Sequence, residues 1–236
     1  MTLPGLFSIS GRHYGNARVT YNGSQTSTSS SNSITWSNVP IGDAYPDRMV
    51  VMLFGTMTVG GTVYYADTLS IAGTNANEIV YADGSDGTNN RSLEIWQSNG
   101  VVPTGTTATV VTDIGTGNSN GYSWLASYSV YGASQQNEWD WYWKLETGTG
   151  LEKTGIWLLE GGFSIAAAIF GATSPTITWS STGGWTKDAD ISNGSYVMSV
   201  GSVQRTGVFE NAKVDPSASS KTTGDVLVVT AMQGGT

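Results

Sequence analysis

The chain has 236 residues, enough for one large β domain or two small ones with a proper core. Its formal charge is −8 and its ten Lys and Arg are scattered, so the clustered cations that bind phosphate are missing, which argues against nucleic acid or an anionic membrane as partner. Cysteine is absent, which excludes disulfides, thiol catalysis and thiolate metal sites. Charged residues make up 12% of the chain, and its 31 Gly stand among many Ser, Thr and Asn, a mix unlike that of a helical bundle.

The opening "MTLPGLFSISGRHYG" has no basic residue ahead of its apolar patch, and Pro4 and Gly5 interrupt it, which makes a poor secretory leader. Residues 22–33, "NGSQTSTSSSNS", show no apolar period. They read as a connector behind an N-terminal arm, so that 1–32 is arm and connector and 33–236 is a single domain. Next, "SITWS" alternates Ile34 and Trp36 with polar residues, the period of two of a half-buried strand. "DRMVVMLFGTM" from Asp47 reads as a continuously apolar strand covered on both faces.

Further strands follow at "DTLSIAG", "NEIVYADG", "RSLEIWQ" and "TTATVVTDIG". In "GYSWLASYSVYG" the residues Tyr122, Trp124, Ala126, Tyr128 and Val130 share one face, with Ser123, Ser127 and Ser129 on the other. "EWDWYWKLE" alternates in the same way, and strands are predicted at "TGIWLLEG", "GGFSIAAAIFG", "TITWSS", "SYVMSVGSVQ" and "DVLVVTAMQ". No helix is predicted. The expectation is an all-β, antiparallel, jelly-roll-like β-sandwich with an extended N-terminal arm. The pentapeptides "SITWS" and "TITWS" read as convergence on strand chemistry rather than as a tandem repeat.

No catalytic, cofactor or metal residues are assigned. Glu138 and Asp140 fit the first two places of an E-x-D-x-x-E glycosidase strand, but Trp143 stands where the acid/base belongs and has no proton to give. Trp139, Trp141 and Trp143 are the candidate glycan-stacking residues, although packing of the sandwich interior is the favoured use of that row. "DGSDG" at 83–87 and "KDAD" at 187–190 offer oxygen ligands for calcium without the ordered acidic ladder of a calcium loop. His13 is the sole histidine, and "GTGNSNG" lacks the Lys-Ser/Thr ending of a phosphate loop.

At "ITWSNVPIGDAYPDRMVVMLFG", "LEIWQSNGVVPTGTTATVVTDIG" and "GYSWLASYSVYGAS" the chain resembles a group of uncharacterised tailed-bacteriophage virion proteins. The resemblance rests on the Asp47-Arg48 pair, Pro103 to Val110, Trp124 to Gly132 and Thr176 to Trp185, and brings no catalytic residue. It implies a virion component assembled in the host cytoplasm. Such a protein would contact major capsid or tail proteins, and a homo-oligomer, with a trimer favoured, is expected. The role expected first is a non-enzymatic head decoration or cement protein. A tail-fibre or baseplate module binding host glycan is the alternative, and a secreted glycan hydrolase with a jelly-roll fold ranks third.

Overall fold

The computed structural model of the chain describes residues 17–62, 64–100, 104–115, 121–146, 151–158, 161–180, 183–204, 209–220, 222 and 224–234. At 134–146, 157, 158, 209–212, 233 and 234 it describes the backbone alone. Residues 1–16, expected as an arm and including His13, lie outside the described residues. Among the described residues every element is a strand, and every pairing is antiparallel.

The first nine strands are β1 (Arg18–Ser27), β2 (Ser33–Pro40), β3 (Met49–Val59), β4 (Thr68–Ile71), β5 (Thr74–Asn75), β6 (Asn77–Ser85), β7 (Asn89–Gln97), β8 (Thr107–Asp113) and β9 (Gly121–Tyr131). They form an inner sheet in the order β1-β9-β3-β7-β6 and an outer sheet in the order β2-β8-β4-β5. The chain alternates between the two sheets, and the last strands return to lie beside the first. This is jelly-roll winding with β6 added at one edge.

The remaining strands are β10 (Ala133–Glu146), β11 (Lys153–Leu158), β12 (Phe163–Phe170), β13 (Ile177–Trp179), β14 (Thr186–Asn193), β15 (Tyr196–Gln204), β16 (Phe209–Val214), β17 (Pro216–Ala218) and β18 (Asp225–Gly234). Their inner sheet runs β10-β18-β12-β15-β14, covered by the pairs β11-β16 and β13-β17. Strand for strand this is the first winding again, with β10 for β1, β18 for β9, β12 for β3, β15 for β7 and β14 for β6. The registers agree in detail. β6 shifts register between Glu78 and Val80, opposite Trp96 and Ile95, and β14 shifts between Lys187 and Ala189, opposite Gly201 and Val200. The fold is therefore two jelly-roll windings in tandem.

The windings pack inner sheet against inner sheet, which makes four layers. Met49, Val51, Leu53, Leu93, Ile95, Trp124, Ala126 and Tyr128 of the first meet Phe163, Ile165, Ala167, Ile169, Met198, Val200, Val226 and Val228 of the second in one core. The opposite faces are buried as well. Val50, Met52 and Phe54 lie under Ile34, Trp36 and Leu69 of the outer sheet, while Ala166, Ala168 and Phe170 lie under Ile177 and Trp185. Burial on both faces explains why β3 and β12 read as unbroken apolar runs. At the flanks β1 lies beside β14 and β6 beside β10, the reciprocal contacts that a two-fold relation between equivalent windings requires.

One sequence expectation changes. The stretch at 22–33 is not a connector throughout, since residues up to Ser27 belong to β1, hydrogen-bonded along β9 from Arg18↔Tyr131 to Ser27↔Ser123. An edge strand with mostly polar, half-exposed side chains carries no apolar period, so backbone pairing makes it a strand while pattern does not. The two pentapeptides occupy non-equivalent outer strands, β2 and β13, so their likeness is convergence even though the windings repeat.

Candidate functional site

The tryptophan row expected to pack or to stack on sugar lies on β10, an edge strand of the second inner sheet, with Trp141 opposite Thr230 and Trp143 opposite Val228. The side chains of Trp139, Trp141 and Trp143 lie outside the described residues. Glu138 pairs with Met232 and Asp140 with Ala231, with a register shift between them, so the strand is not in regular i, i+2 register at these carboxylates. Residues 116–120 of "GTGNSNG" are also outside.

The two candidate calcium stretches are engaged in structural bonding. Asp86 accepts from the N–H groups of Thr88 (2.9 Å) and Asn89 (2.7 Å) and pairs with Arg91 (2.5 Å). Burial pushes its carboxyl up, but these donors more than offset it and hold it at about 2. Asp190 pairs with Lys187 (2.7 Å) and accepts from Ser199 Oγ (2.6 Å). At the β14 bulge, Asp188 reaches the central core and accepts from the fully buried Tyr128 hydroxyl of the other winding at 2.9 Å. Burial raises the Asp188 carboxyl above its usual range, partly offset by the Ser202 and Tyr128 hydroxyls. Among the described residues no three His, Asp or Glu side chains converge as a metal site.

Other buried polar groups tie loops and windings together. Arg48 Nη1 donates to Gly42 O (2.7 Å) and Gly105 O (2.8 Å), and Asp47 accepts from the N–H of Gly132, which joins the windings. Asp225 accepts from Gly171 N (2.9 Å) and Thr222 Oγ1 (2.9 Å), and Asn193 Nδ2 donates to Ser27 O and Ser123 O across the windings.

One region departs from this pattern. On β7, Leu93 and Ile95 point into the central core, which turns Ser92, Glu94 and Trp96 toward the other face. There residues 64–67 cross over them. The hydroxyls of Thr56 and Ser92 both donate to Tyr64 O, Ala66 N donates to Glu94 Oε1 (2.8 Å), and Trp96 Nε1 donates to Glu94 Oε2 (2.8 Å). Glu94 is completely buried. Loss of water raises its carboxyl to about 8, with the Ala66 and Trp96 donors opposing the rise and the charge of Glu78 adding to it.

The outside of this wall is aromatic and acidic. Tyr81 lies opposite Glu94 in the ladder, and its ring leans on Tyr65, with centroids 6.1 Å apart and planes at 32°. Both rings are half exposed, Tyr65 at 52% and Tyr81 at 53%. Glu78 and Asp83, both exposed, pair with Trp96 and Ser92 and so lie on the same face of β6.

The equivalent corner of the second winding is built differently. Aligned by their bulges, Asp190 stands for Tyr81, Ser199 for Glu94 and Gly201 for Trp96. Trp179 from β13 lies over Gly201, where a Cβ would come within 3.0 Å of its ring, and donates Nε1–H to Ser199 Oγ (2.8 Å). Both corners thus place an indole whose N–H is satisfied on the strand, but the first adds a sealed carboxyl and an open tyrosine pair that have no counterpart in the second. Sequence reasoning passed over Tyr65, Tyr81 and Glu94. The available signal was phase, since Val80 and Ala82 face the core and Tyr81 falls on the outward beat between them.

Chemically, the sealed Glu94 has no access to solvent, whereas the tyrosine faces and the Glu78 and Asp83 carboxylates can bind by stacking and charge. Comparison of the chain with known protein families, characterised proteins and solved structures finds no match.

Proposed function

We propose that the chain is a non-enzymatic structural protein of a tailed-bacteriophage particle, a head decoration or cement protein on its exterior that works by contact with neighbouring subunits. One observation carries the reading. The fold spends its large inner sheet faces on holding its two windings together, and leaves an acidic, aromatic flank on the edge strand β6. A contact protein needs such a surface, and an edge strand is where chains meet. The motif residues behind the phage resemblance fit the same view, because Asp47 and Arg48 bind backbone in loops and take no part in a reactive arrangement.

The experiment is to label the protein on purified particles and image it. Capsid-symmetric, high-copy labelling is the expected result. Absence from particles would overturn the proposal. Low-copy label at the tail tip would favour the second reading, a host-recognition module, for which the exposed tyrosine pair would be a sugar-stacking surface.

A further inference from the structure

We propose that Tyr65, Tyr81, Glu78 and Asp83 form a docking site for a basic segment of a partner protein, which lays an arginine or lysine side chain against the two tyrosine rings. The inference rests on the contact role proposed above and gives the chemistry of the partner at that surface.

Three observations point to this occupant. The rings are half exposed, and a cation seated over the gap between centroids 6.1 Å apart lies within the roughly 6 Å reach of both faces. Among the described residues, the exposed charges that flank them have one sign. Glu78 and Asp83 flank Tyr81 on its own face of β6, and the chain as a whole carries −8. Arg91, on the neighbouring strand, has its guanidinium turned to Asp86 and buried against Gly171 of the second winding. An anionic partner is repelled here, and a neutral sugar could stack on the rings and donate hydroxyls to the carboxylates but gains no net charge attraction, whereas a cation gains from both the rings and the charge. Finally, the second winding closes the equivalent corner with Asp190, Ser199 and Trp179, so the open tyrosine pair is particular to the first winding.

The test is a titration of the intact chain with a short, fluorescently labelled Arg/Lys peptide at two salt concentrations. The parent chain binds saturably, and more weakly at high salt. Combined Tyr65→Ala and Tyr81→Ala lowers affinity about five- to tenfold, while Tyr81→Phe, which keeps the ring face, stays within about twofold. Combined Glu78→Gln and Asp83→Asn weakens binding and flattens the salt dependence. All four side chains are exposed, so unchanged thermal melts verify that each variant is folded. Equal binding by the double alanine variant, no saturable binding by the parent, or binding of a neutral oligosaccharide in place of the peptide overturns the inference. Particle labelling decides the function separately. A protein found on particles whose double alanine variant still incorporates normally sinks the docking site and leaves the role standing.

Discussion

Glu94 shows how one residue sets a pH response. Its folded-state carboxyl is raised to about 8 from an ordinary 4.5, so the folded chain holds a proton that the unfolded chain releases. The stability tied to that proton is complete below about 4.5 and is lost as pH rises toward 8, with an upper bound of about 5 kcal/mol. Denaturant unfolding at pH 5 and pH 8 checks it. The parent loses stability across this interval, and Glu94→Gln, although weaker at pH 5 because its amide cannot accept from both Ala66 and Trp96, loses less. Equal losses would mean that Glu94 does not titrate there. Asp86 acts at the other end, since a carboxyl held at about 2 supplies stability that is present above about 3.8 and lost on acidification. Gly55 is a residue-scale constraint of another kind. A Cβ there would lie 2.7 Å from Ile169 Cδ1 and 3.2 Å from Met198 Sδ, so Gly55→Ala costs about 1–3 kcal/mol in urea unfolding. Ile169→Val, which removes the Cδ1, recovers part of that loss; no recovery would place the strain elsewhere.

At the scale of elements, β7 does the most varied work. Its even and odd residues separate the central core from the Glu94 wall, and Arg91 near its start reaches the second winding. The guanidinium is fully buried beside Asp86, and a Cβ on Gly171 would lie 1.6 Å from Nη2, so that position has no room for a side chain. Arg91→Met removes one partner of a buried pair and is expected to cost about 3 kcal/mol in urea unfolding, with Asp86→Asn costing less. A loss under about 1 kcal/mol would show the pair to be solvated. The element β14 shows why some strands escaped the sequence. "TKDADISN" contains a bulge that turns Asp188 toward Tyr128, and the extra residue breaks the alternation that pattern reading depends on. By contrast β9, with Trp124, Ala126, Tyr128 and Val130 in the core, was legible residue by residue.

At the scale of the molecule, the two windings share one central core, and neither inner sheet keeps its apolar face covered without the other. Folding of one winding is therefore coupled to folding of its neighbour, and calorimetry should show a single transition whose calorimetric and van't Hoff enthalpies agree. Two resolved transitions would show windings that fold independently. The shared core also explains why the chain needs no disulfide, since covering each inner sheet twice buries enough apolar surface to offset chain entropy.

The sequence by itself determined the class and much of the core. Period-two alternation and continuous apolar runs can only be satisfied by sheets buried on one or both faces, and absent cysteines and scattered cations limited the chemistry. It did not disclose the doubling, because what the windings share is strand order and register, while the side chains at matched positions differ, as Phe54 against Ala168 and Glu94 against Ser199 do. Nor did it disclose the tyrosine flank, because Tyr65 and Tyr81 come from separate segments and meet only when residues 64–67 cross β7. Burial pattern is a local property that a strand writes into its own residues. Which outward residues become neighbours depends on how sheets pair and stack, and tertiary structure alone decides that.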